Sequence, residues 1–297
     1  MNELFDFLIK KDVEYKREES ISNYTSVRIG GPAAVIAFPD TQEKFVELVA
    51  FLLKSNIAHK VIGRMTNILP CDDRYDGVIV STKLLGRYEK NDTVINAECG
   101  VPLSLLIMQM ARLGLGGLEP LYGIPGSVGG MIVSNAGAYG SSLGDAVKSV
   151  CAYSLNKERV ITLMHDEMDF SYRRSIFYGS DMLVLSAELE FVPCEPDIIV
   201  GKLGMIKQRR ASSQPLESPS LGSVFKRVGD ISAGQIIDQC GLKGLKVGGA
   251  EVSCRHAGFM INTGNATATE YRQLVEIVER EVYKQRAVTL EREIEFL

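Results

Sequence analysis

The stretch GIPGSVGGMIVSNAGAYG, residues 123–140, contains six glycines, two alanines and three serine or asparagine residues. Its apolar members, at positions 124, 128 and 131–133, are of types that are usually buried, whereas a flexible linker is polar and featureless. Glycine permits positive φ angles and lets a ligand touch the main chain, and successive backbone N–H groups form an anion-binding nest. The stretch therefore predicts either a phosphate-bearing cofactor against the backbone or a tightly packed glycine turn without a ligand.

The composition is typical of a soluble globular protein, with 45% hydrophobic and 24% charged residues in a chain of 297. A net charge of −4 gives no reason to expect nucleic acid or an anionic membrane as a partner. No apolar run reaches the length of a membrane span, and the acidic, amphipathic N-terminal segment lacks the features of a signal peptide. We therefore expect a cytoplasmic protein.

The six cysteines and three histidines do not predict a metal site. No pair of cysteines has CxxC spacing, and the histidines are far apart in the sequence. We therefore expect reduced thiols and no bound metal.

Helix and strand patterns are mixed without strict alternation, which favours an α+β fold over a doubly wound sheet. AAVIAF (33–38) and HKVIG (59–63) predict strands on either side of a helix at 40–55, where Asp40 and Glu43 have the spacing of a capping box. Similar patterns predict further strands at 77–82, 93–100 and 181–191 and further helices at 102–114 and 197–213. A hairpin is predicted around 156–158.

The clearest helix is predicted at 267–286. It opens with a Thr267–Glu270 capping box, and one face carries apolar residues at helical spacing: Tyr271, Leu274, Val275, Val278 and Val282.

Six motifs, in this order, resemble the UDP-N-acetylenolpyruvoylglucosamine reductase (MurB) family in its shorter type II form. They are TSVRIGGPA (25–33), GLGGLEPLYGIPGSVGGMIVSNAGAYG (114–140), SYRRSIF (171–177), SPSLGSVFKR (218–227), GLKGLKVGGAEVSCRHAGFMIN (241–262) and LEREIEFL (290–297). The resemblance implies a two-part FAD-binding domain of the PCMH/vanillyl-alcohol-oxidase type and a smaller α+β substrate-binding domain. We accordingly predict an FAD-binding domain at 1–195, with lobes at about 1–75 and 76–195, and a substrate-binding domain at 196–297. A last strand near 289–297 is predicted to return toward the active site.

The resemblance also implies the activity: reduction, with NADPH as co-substrate and FAD as cofactor, of the enolpyruvyl group of UDP-N-acetylglucosamine enolpyruvate to UDP-N-acetylmuramate, a step in peptidoglycan precursor synthesis. By the same resemblance, two segments bind FAD: Gly63, Arg64, Thr66 and Asn67, and then Gly123, Ile124, Pro125, Gly126, Ser127, Gly129, Gly130, Asn135, Ala136 and Gly137.

Three residues match the catalytic positions of the family. Arg173 would bind the substrate carboxylate through parallel N–H bonds, Ser223 would donate a proton, and Glu293 would hydrogen-bond the enol form. Each also fits a structural role taken alone: a surface arginine, a turn serine and a solvated glutamate. Residues matching substrate-binding positions are Tyr172, Gln214, Lys226, Arg227 and His256, and for the histidine a structural role is equally compatible with the sequence.

The first predicted cofactor loop departs from the family pattern Gly-x-Gly-Ser-Asn. Met65 replaces its second glycine and Thr66 its serine. A Cβ at position 65 would hinder close approach of a pyrophosphate or a positive φ, whereas Thr66 keeps a hydroxyl and Arg64 adds a charge. Two alternatives therefore stay open beside the reductase: another flavin oxidoreductase of the same fold, and a non-enzymatic homologue that binds a UDP-sugar.

Overall fold

The computed structural model describes residues 2–297, and within them the chain forms seven α-helices. They are α1 (Asn2–Lys10), α2 (Gln42–Lys54), α3 (Leu103–Arg112), α4 (Val128–Val133), α5 (Pro196–Ser213), α6 (Ala233–Gln239) and α7 (Ala268–Arg286). The strands are β1 (Glu14–Ser20), β2 (Pro32–Phe38), β3 (His59–Ile62), β4 (Ile68–Leu69), β5 (Tyr75–Ser81), β6 (Tyr88–Asn91), β7 (Val94–Glu98), β8 (Leu115–Gly116), β9 (Gly137–Ala138), β10 (Ser141–Ser142), β11 (Val147–Ser154), β12 (Arg159–Met164), β13 (Met182–Glu190), β14 (Val192–Pro193), β15 (Ser220–Ser223), β16 (Lys246–Val247), β17 (Ala250–Val252), β18 (Phe259–Asn262) and β19 (Glu295–Phe296).

The chain divides into two compact units, each with its own core. Unit 1 contains Met1–Lys16, Val35–Arg64 and Gly77–Gln208, and unit 2 contains Arg17–Ala34, Met65–Asp76 and Arg209–Leu297. This division differs from the predicted one at 195. Val27, Ile29 and Leu69 belong to the core of unit 2, so two N-terminal segments join that unit. Ile199 and Leu203 of α5 pack in the core of unit 1, which moves the boundary into the end of that helix.

Unit 1 is built around an antiparallel sheet with the strand order β12-β11-β13-β7-β6. The predicted hairpin is its β11–β12 pair. The larger part of a second sheet, β1-β2-β5-β3, also belongs to unit 1, and there β3 runs parallel to β5. Helices α2, α3 and α4 bury apolar faces in the core of this unit.

Unit 2 packs α6 and α7 with the sheet β15-β18-β17-β16. The prediction for α7 is confirmed: Thr267 and Glu270 form a capping box, and the five predicted apolar residues are buried. Asp72 strengthens the same helix start by accepting hydrogen bonds from the backbone N–H of Ala268 and Thr269, at 2.6 and 2.9 Å.

Two local predictions need correction. The N-cap of α2 is Thr41, whose hydroxyl accepts a hydrogen bond from the Lys44 N–H at 3.2 Å, whereas Asp40 forms an ion pair with the Lys44 ammonium group. The last strand is also shorter than predicted, because regular pairing is confined to Glu295–Phe296, which run parallel to Ile68–Leu69.

Candidate active site

The glycine-rich segment of unit 1 follows a path with four positive φ angles, at Gly123 (82°), Asn135 (42°), Tyr139 (53°) and Gly140 (86°). Its first half is fastened to the start of α3 and the residues before it. Val128 N–H donates to Val101 O at 2.9 Å, and Gly129 N–H donates to Cys99 O at 2.8 Å. The segment is therefore a fixed part of unit 1 and not a linker.

Ser104 is a residue of this site that the sequence interpretation missed. Its hydroxyl accepts a hydrogen bond from Gly123 N–H at 3.0 Å and donates one to Ile124 O at 3.1 Å. A single serine in the otherwise apolar start of α3 gave no local signal, since its partners in the glycine-rich segment lie 19 and 20 residues further along the chain.

Two of the glycines are required by the protein itself. A Cβ at Gly129 would lie 2.7 Å from Cys99 Cβ, and one at Gly137 would lie 2.5 Å from Ser141 O. The missing side chains at these positions are thus explained by close packing of the chain. The other predicted cofactor residues of this segment, apart from the buried Ser127 and Asn135, are exposed or half-buried: Gly123, Ile124, Pro125, Gly126, Gly130 and Ala136.

Gly63 and Ser127 form a close contact that fits a phosphate-bearing ligand. A Cβ at Gly63 would lie 2.6 Å from Ser127 Oγ. Among the buried side chains of residues 2–297, Ser127 Oγ is the polar atom without a hydrogen-bond partner. A buried hydroxyl left unpaired costs about 1–3 kcal/mol. A ligand oxygen beside Gly63 would remove this cost, so the residues present fit a phosphate group.

Arg173 lies beside this segment in unit 1. Its Nη2 donates to Gly137 O at 3.0 Å, and its guanidinium carbon is 5.3 Å from the centre of the exposed Tyr172 ring. The φ angle of Arg173 is 56°, an unfavourable conformation for a residue with a Cβ. Such strain persists where the surroundings impose it, as at many functional sites.

The chain around Arg173 is hydrogen-bonded to the end of α4 and to the residues after it. Asn135 Nδ2 donates to Ser171 O at 2.9 Å, and Ser175 Oγ donates to Val133 O at 2.9 Å. Asn135 Oδ1 also accepts from Gly144 N–H at 3.0 Å. The structure thus brings together the glycine-rich segment and Arg173, and Asn135 supports both.

Ser223 stands at the end of β15 in unit 2. The register of β15 against β18 shifts between Ser220 and Ser223, and Gly222 within this irregularity has a φ of 78°. A bulge of this kind redirects the following side chain. The side chain of Ser223 is exposed, whereas Val224 and Phe225 after it are buried.

The backbone of Glu293 is hydrogen-bonded to the residue that follows Ser223. Glu293 N–H donates to Val224 O at 2.8 Å, and Lys226 N–H donates to Glu291 O at 2.8 Å. The segment after Ser223 therefore runs alongside the C-terminal segment, which brings two of the three predicted catalytic residues together in unit 2.

The loop predicted to approach the cofactor shows how the chain tolerates Met65. Its φ is 49°, so the backbone keeps the left-handed conformation that glycine would supply, and its side chain is buried. Arg64 is exposed and Thr66 is half-buried. The expectation that a Cβ would forbid a positive φ here is wrong. Asn67, the last residue of this loop, donates from Nδ2 to Glu293 O at 2.9 Å.

The predicted substrate-binding residues of unit 2 have different surroundings. Lys226 Nζ is 2.6 Å from Glu291 Oε1, so an anionic ligand would compete with that carboxylate. Arg227 is exposed and donates to Asp230 O at 3.2 Å. Gln214 is held by Arg255, whose Nη1 donates to Gln214 O at 3.1 Å.

Arg255 was not singled out in the sequence. The same Nη1 donates to Ala211 O at 3.3 Å and pairs with Glu217 Oε2 at 2.9 Å, which fixes the chain after α5.

His256 has the contacts of a structural histidine. Its Nδ1 accepts a hydrogen bond from Gly258 N–H at 3.1 Å. Its ring packs edge-on against that of Phe259, with 4.9 Å between the ring centres. Burial lowers the pKa of His256 below its usual value, because it disfavours the charged ring.

In residues 2–297 the structure shows no cluster of three or more histidine, cysteine, aspartate or glutamate side chains suited to a metal ion. None of the helices in this range has the length and apolar composition needed to cross a bilayer.

Comparisons with known proteins match two family models to two ranges of the chain. Residues 32–160 match the family model described as FAD binding domain, and residues 214–297 match that of the UDP-N-acetylenolpyruvoylglucosamine reductase C-terminal domain. A UDP-N-acetylenolpyruvoylglucosamine reductase from Petrotoga mobilis is 40% identical over 294 residues, which cover 97% of this chain and 96% of the relative.

Solved structures extend the likeness to the fold. The reductase (MurB) from Thermus caldophilus is 30% identical with a TM-score of 0.80, covering 96% of this chain and 98% of that one. A variant of berberine bridge enzyme shares the fold at 13% identity and a TM-score of 0.50, covering 66% of this chain and 44% of its own. The predicted fold, with its FAD-binding domain of the PCMH/vanillyl-alcohol-oxidase type, is confirmed, and so is the resemblance. The chain belongs to the UDP-N-acetylenolpyruvoylglucosamine reductase family.

Proposed function

We propose that the chain catalyses the NADPH-dependent reduction of the enolpyruvyl group of UDP-N-acetylglucosamine enolpyruvate to UDP-N-acetylmuramate, with FAD as cofactor. The observation that carries this proposal is the backbone pairing in unit 2, in which Glu293 N–H donates to Val224 O, the carbonyl of the residue after Ser223. Arg173 and the glycine-rich FAD-binding segment belong to unit 1, and Ser223 and Glu293 belong to unit 2.

FAD would be held in unit 1 by the backbone from Gly123 to Gly130 and by the hydroxyl of Ser127, with Gly63 leaving the space that a phosphate needs. When bound, FAD supplies hydride transfer from NADPH to C3 of the enolpyruvyl group.

The side chains of this protein stabilise the negative charge that forms on hydride addition and donate the proton that completes the reaction. Addition at C3 places negative charge on C2 and its carboxylate. Arg173 binds this carboxylate and stabilises the charge. Ser223 gives its hydroxyl proton to C2 and regains one from solvent, so that a hydride and a proton add across the double bond. Glu293 accepts a hydrogen bond from the enol form.

Three further assignments belong to this proposal. Lys226 exchanges its Glu291 partner for the diphosphate, and Tyr172, Gln214 and Arg227 contact other parts of the UDP-sugar.

The reaction takes place in the cytoplasm, where NADPH and nucleotide sugars are supplied. The chain acts without nucleic acid, in keeping with its net charge of −4.

A visible absorbance spectrum of the purified protein tests this function. We expect a flavin band that NADPH bleaches and that the enolpyruvyl UDP-sugar restores, with a product heavier than the substrate by two hydrogens in mass spectrometry. UDP-N-acetylglucosamine, which lacks the enolpyruvyl group, serves as the matched ligand and should not restore the band. Restoration by unrelated acceptors alone would indicate another flavin oxidoreductase. A protein that cannot be loaded with FAD but binds the UDP-sugar would indicate a non-enzymatic homologue.

Gly63→Ala is expected to weaken FAD binding by about tenfold or more, because a methyl group 2.6 Å from Ser127 Oγ displaces the hydroxyl and fills the space beside it. Fluorescence titration of the apoprotein with FAD measures the change. Gly86→Ala is the control, since the nearest atom to a Cβ there is Leu84 O at 3.9 Å. Equal FAD affinity of both variants and the parent would contradict the assignment of Gly63.

A further inference from the structure

Asn67 makes two hydrogen bonds to the C-terminal segment of unit 2. Its side-chain Nδ2 donates to Glu293 O at 2.9 Å, and its backbone carbonyl accepts from Glu295 N–H at 3.0 Å. Regular strand pairing in this segment begins only at Glu295. Glu293 thus lies between the isolated bridge that Arg292 forms with Phe225 and the first residue of the strand.

The two peptide groups on either side of the Glu293 Cα are held by two different segments of unit 2. The N–H side donates to Val224 O at 2.8 Å, in the residue after Ser223, and the C=O side accepts from Asn67. Fixing both peptide groups fixes the direction in which the Cβ leaves the backbone. The hydrogen bond from Asn67 therefore helps to set the direction in which the Glu293 side chain leaves the backbone.

We propose that Asn67 is a positioning residue for Glu293 and acts on the reaction through that glutamate, not as a cofactor ligand. This inference rests on the proposed function, because it takes Glu293 to be part of the reaction. The family resemblance had predicted Asn67 as a cofactor-binding residue. In this proposal its carboxamide instead positions Glu293.

A double-mutant cycle tests the inference. We expect Asn67→Ala in the FAD-loaded enzyme to lower kcat about 10- to 100-fold through misplacement of the carboxylate, with little change in KM or FAD affinity. In a Glu293→Gln background, the same substitution should lower kcat less than about twofold, because the group it positions is gone.

The outcomes separate the inference from the function on which it rests. If Asn67→Ala costs the same factor in both backgrounds, or if it lowers FAD affinity instead of kcat, Asn67 does not act through Glu293 and the inference is overturned. If Glu293→Gln is as active as the parent, the role of Glu293 in the proposed function is overturned together with the inference. Should Asn67→Ala fail to fold, Asn67→Asp, which keeps the shape but lacks the N–H donor, goes through the same cycle.

Amide hydrogen exchange of the FAD-loaded protein gives a readout that does not depend on turnover. Loss of the Asn67 bond should speed exchange at Glu293 and Glu295 about 5- to 10-fold, with no general change in unit 2. Tyr271→Phe is the matched control, since it removes another side-chain donor to a backbone carbonyl, that of Met260 at 3.0 Å. It should leave the exchange of both glutamates unchanged. Faster exchange throughout unit 2 in Asn67→Ala would indicate a general structural role and overturn the inference.

Discussion

Ser223→Ala is expected to slow reoxidation by the enolpyruvyl UDP-sugar about 10²- to 10⁴-fold, the usual cost of losing a general acid. Bleaching of the flavin absorbance by NADPH should proceed near the parental rate, because that half of the reaction needs no proton from Ser223. The exposed hydroxyl at the bulge of β15 is thus assigned to the second half alone. A stopped-flow absorbance trace separates the two halves and should show bleaching followed by a stall.

Ser220→Ala is the control for this experiment. It makes the same change at the other end of β15, before the shift in register, and leaves the backbone in place. We expect both half-reactions of this variant to match the parent. Parental reoxidation in Ser223→Ala would show that the serine only shapes the turn and that another group protonates C2.

Local signals in the sequence were sufficient for several elements of the fold, of which α7 is the clearest. The start of α7 was predicted to the residue, because Thr267 and Glu270 satisfy each other's backbone within one turn and Tyr271 begins the buried face. The position of the boundary between the units inside α5 and the membership of Val27 in the second core were not predictable in this way. Both depend on which distant apolar groups a segment meets, and this information is absent from local periodicity.

The glycine-rich segment shows, within the site, the same contrast between what local sequence indicates and what only the folded chain reveals. Its composition indicated close approach of something to the backbone, but not what approaches. At Gly129 and Gly137 it is the chain itself, whereas the unpaired Ser127 hydroxyl beside Gly63 fits a ligand. Likewise, the sequence marked Met65 as a departure from the family, and only the backbone angle shows that the left-handed conformation is kept.

The residues that hold the glycine-rich segment and the segments of Arg173 and Glu293 in place were the hardest to assign from sequence. Ser104, Asn135 and Asn67 act through hydrogen bonds to carbonyl groups of segments remote in sequence. A carbonyl acceptor belongs to every residue, so no particular residue type at the partner position reveals such a bond. Arg173, Ser223 and Glu293 were found because family motifs identified them, and their roles remain predictions.

Arg173→Ala is expected to lower kcat/KM for the enolpyruvyl UDP-sugar about 10²- to 10³-fold, since it removes one partner of a desolvated, charge-assisted pair. KM should rise and kcat should fall, because the carboxylate is bound before the reaction and gains charge during it. Arg173→Lys should recover only part of the loss, as an ammonium keeps the charge but not the two parallel N–H donors. Steady-state kinetics on FAD-loaded protein measures all three values.

Arg174 supplies the matched control one residue away. Its backbone pairs with Ser171, but its side chain is exposed, so Arg174→Ala removes the same charge without removing the guanidinium beside Gly137. If Arg174→Ala reproduces the loss seen in Arg173→Ala, the effect is one of overall surface charge, and it should then also shrink at high salt. A loss confined to position 173 and largely insensitive to salt is the result expected of a guanidinium that contacts the substrate carboxylate directly.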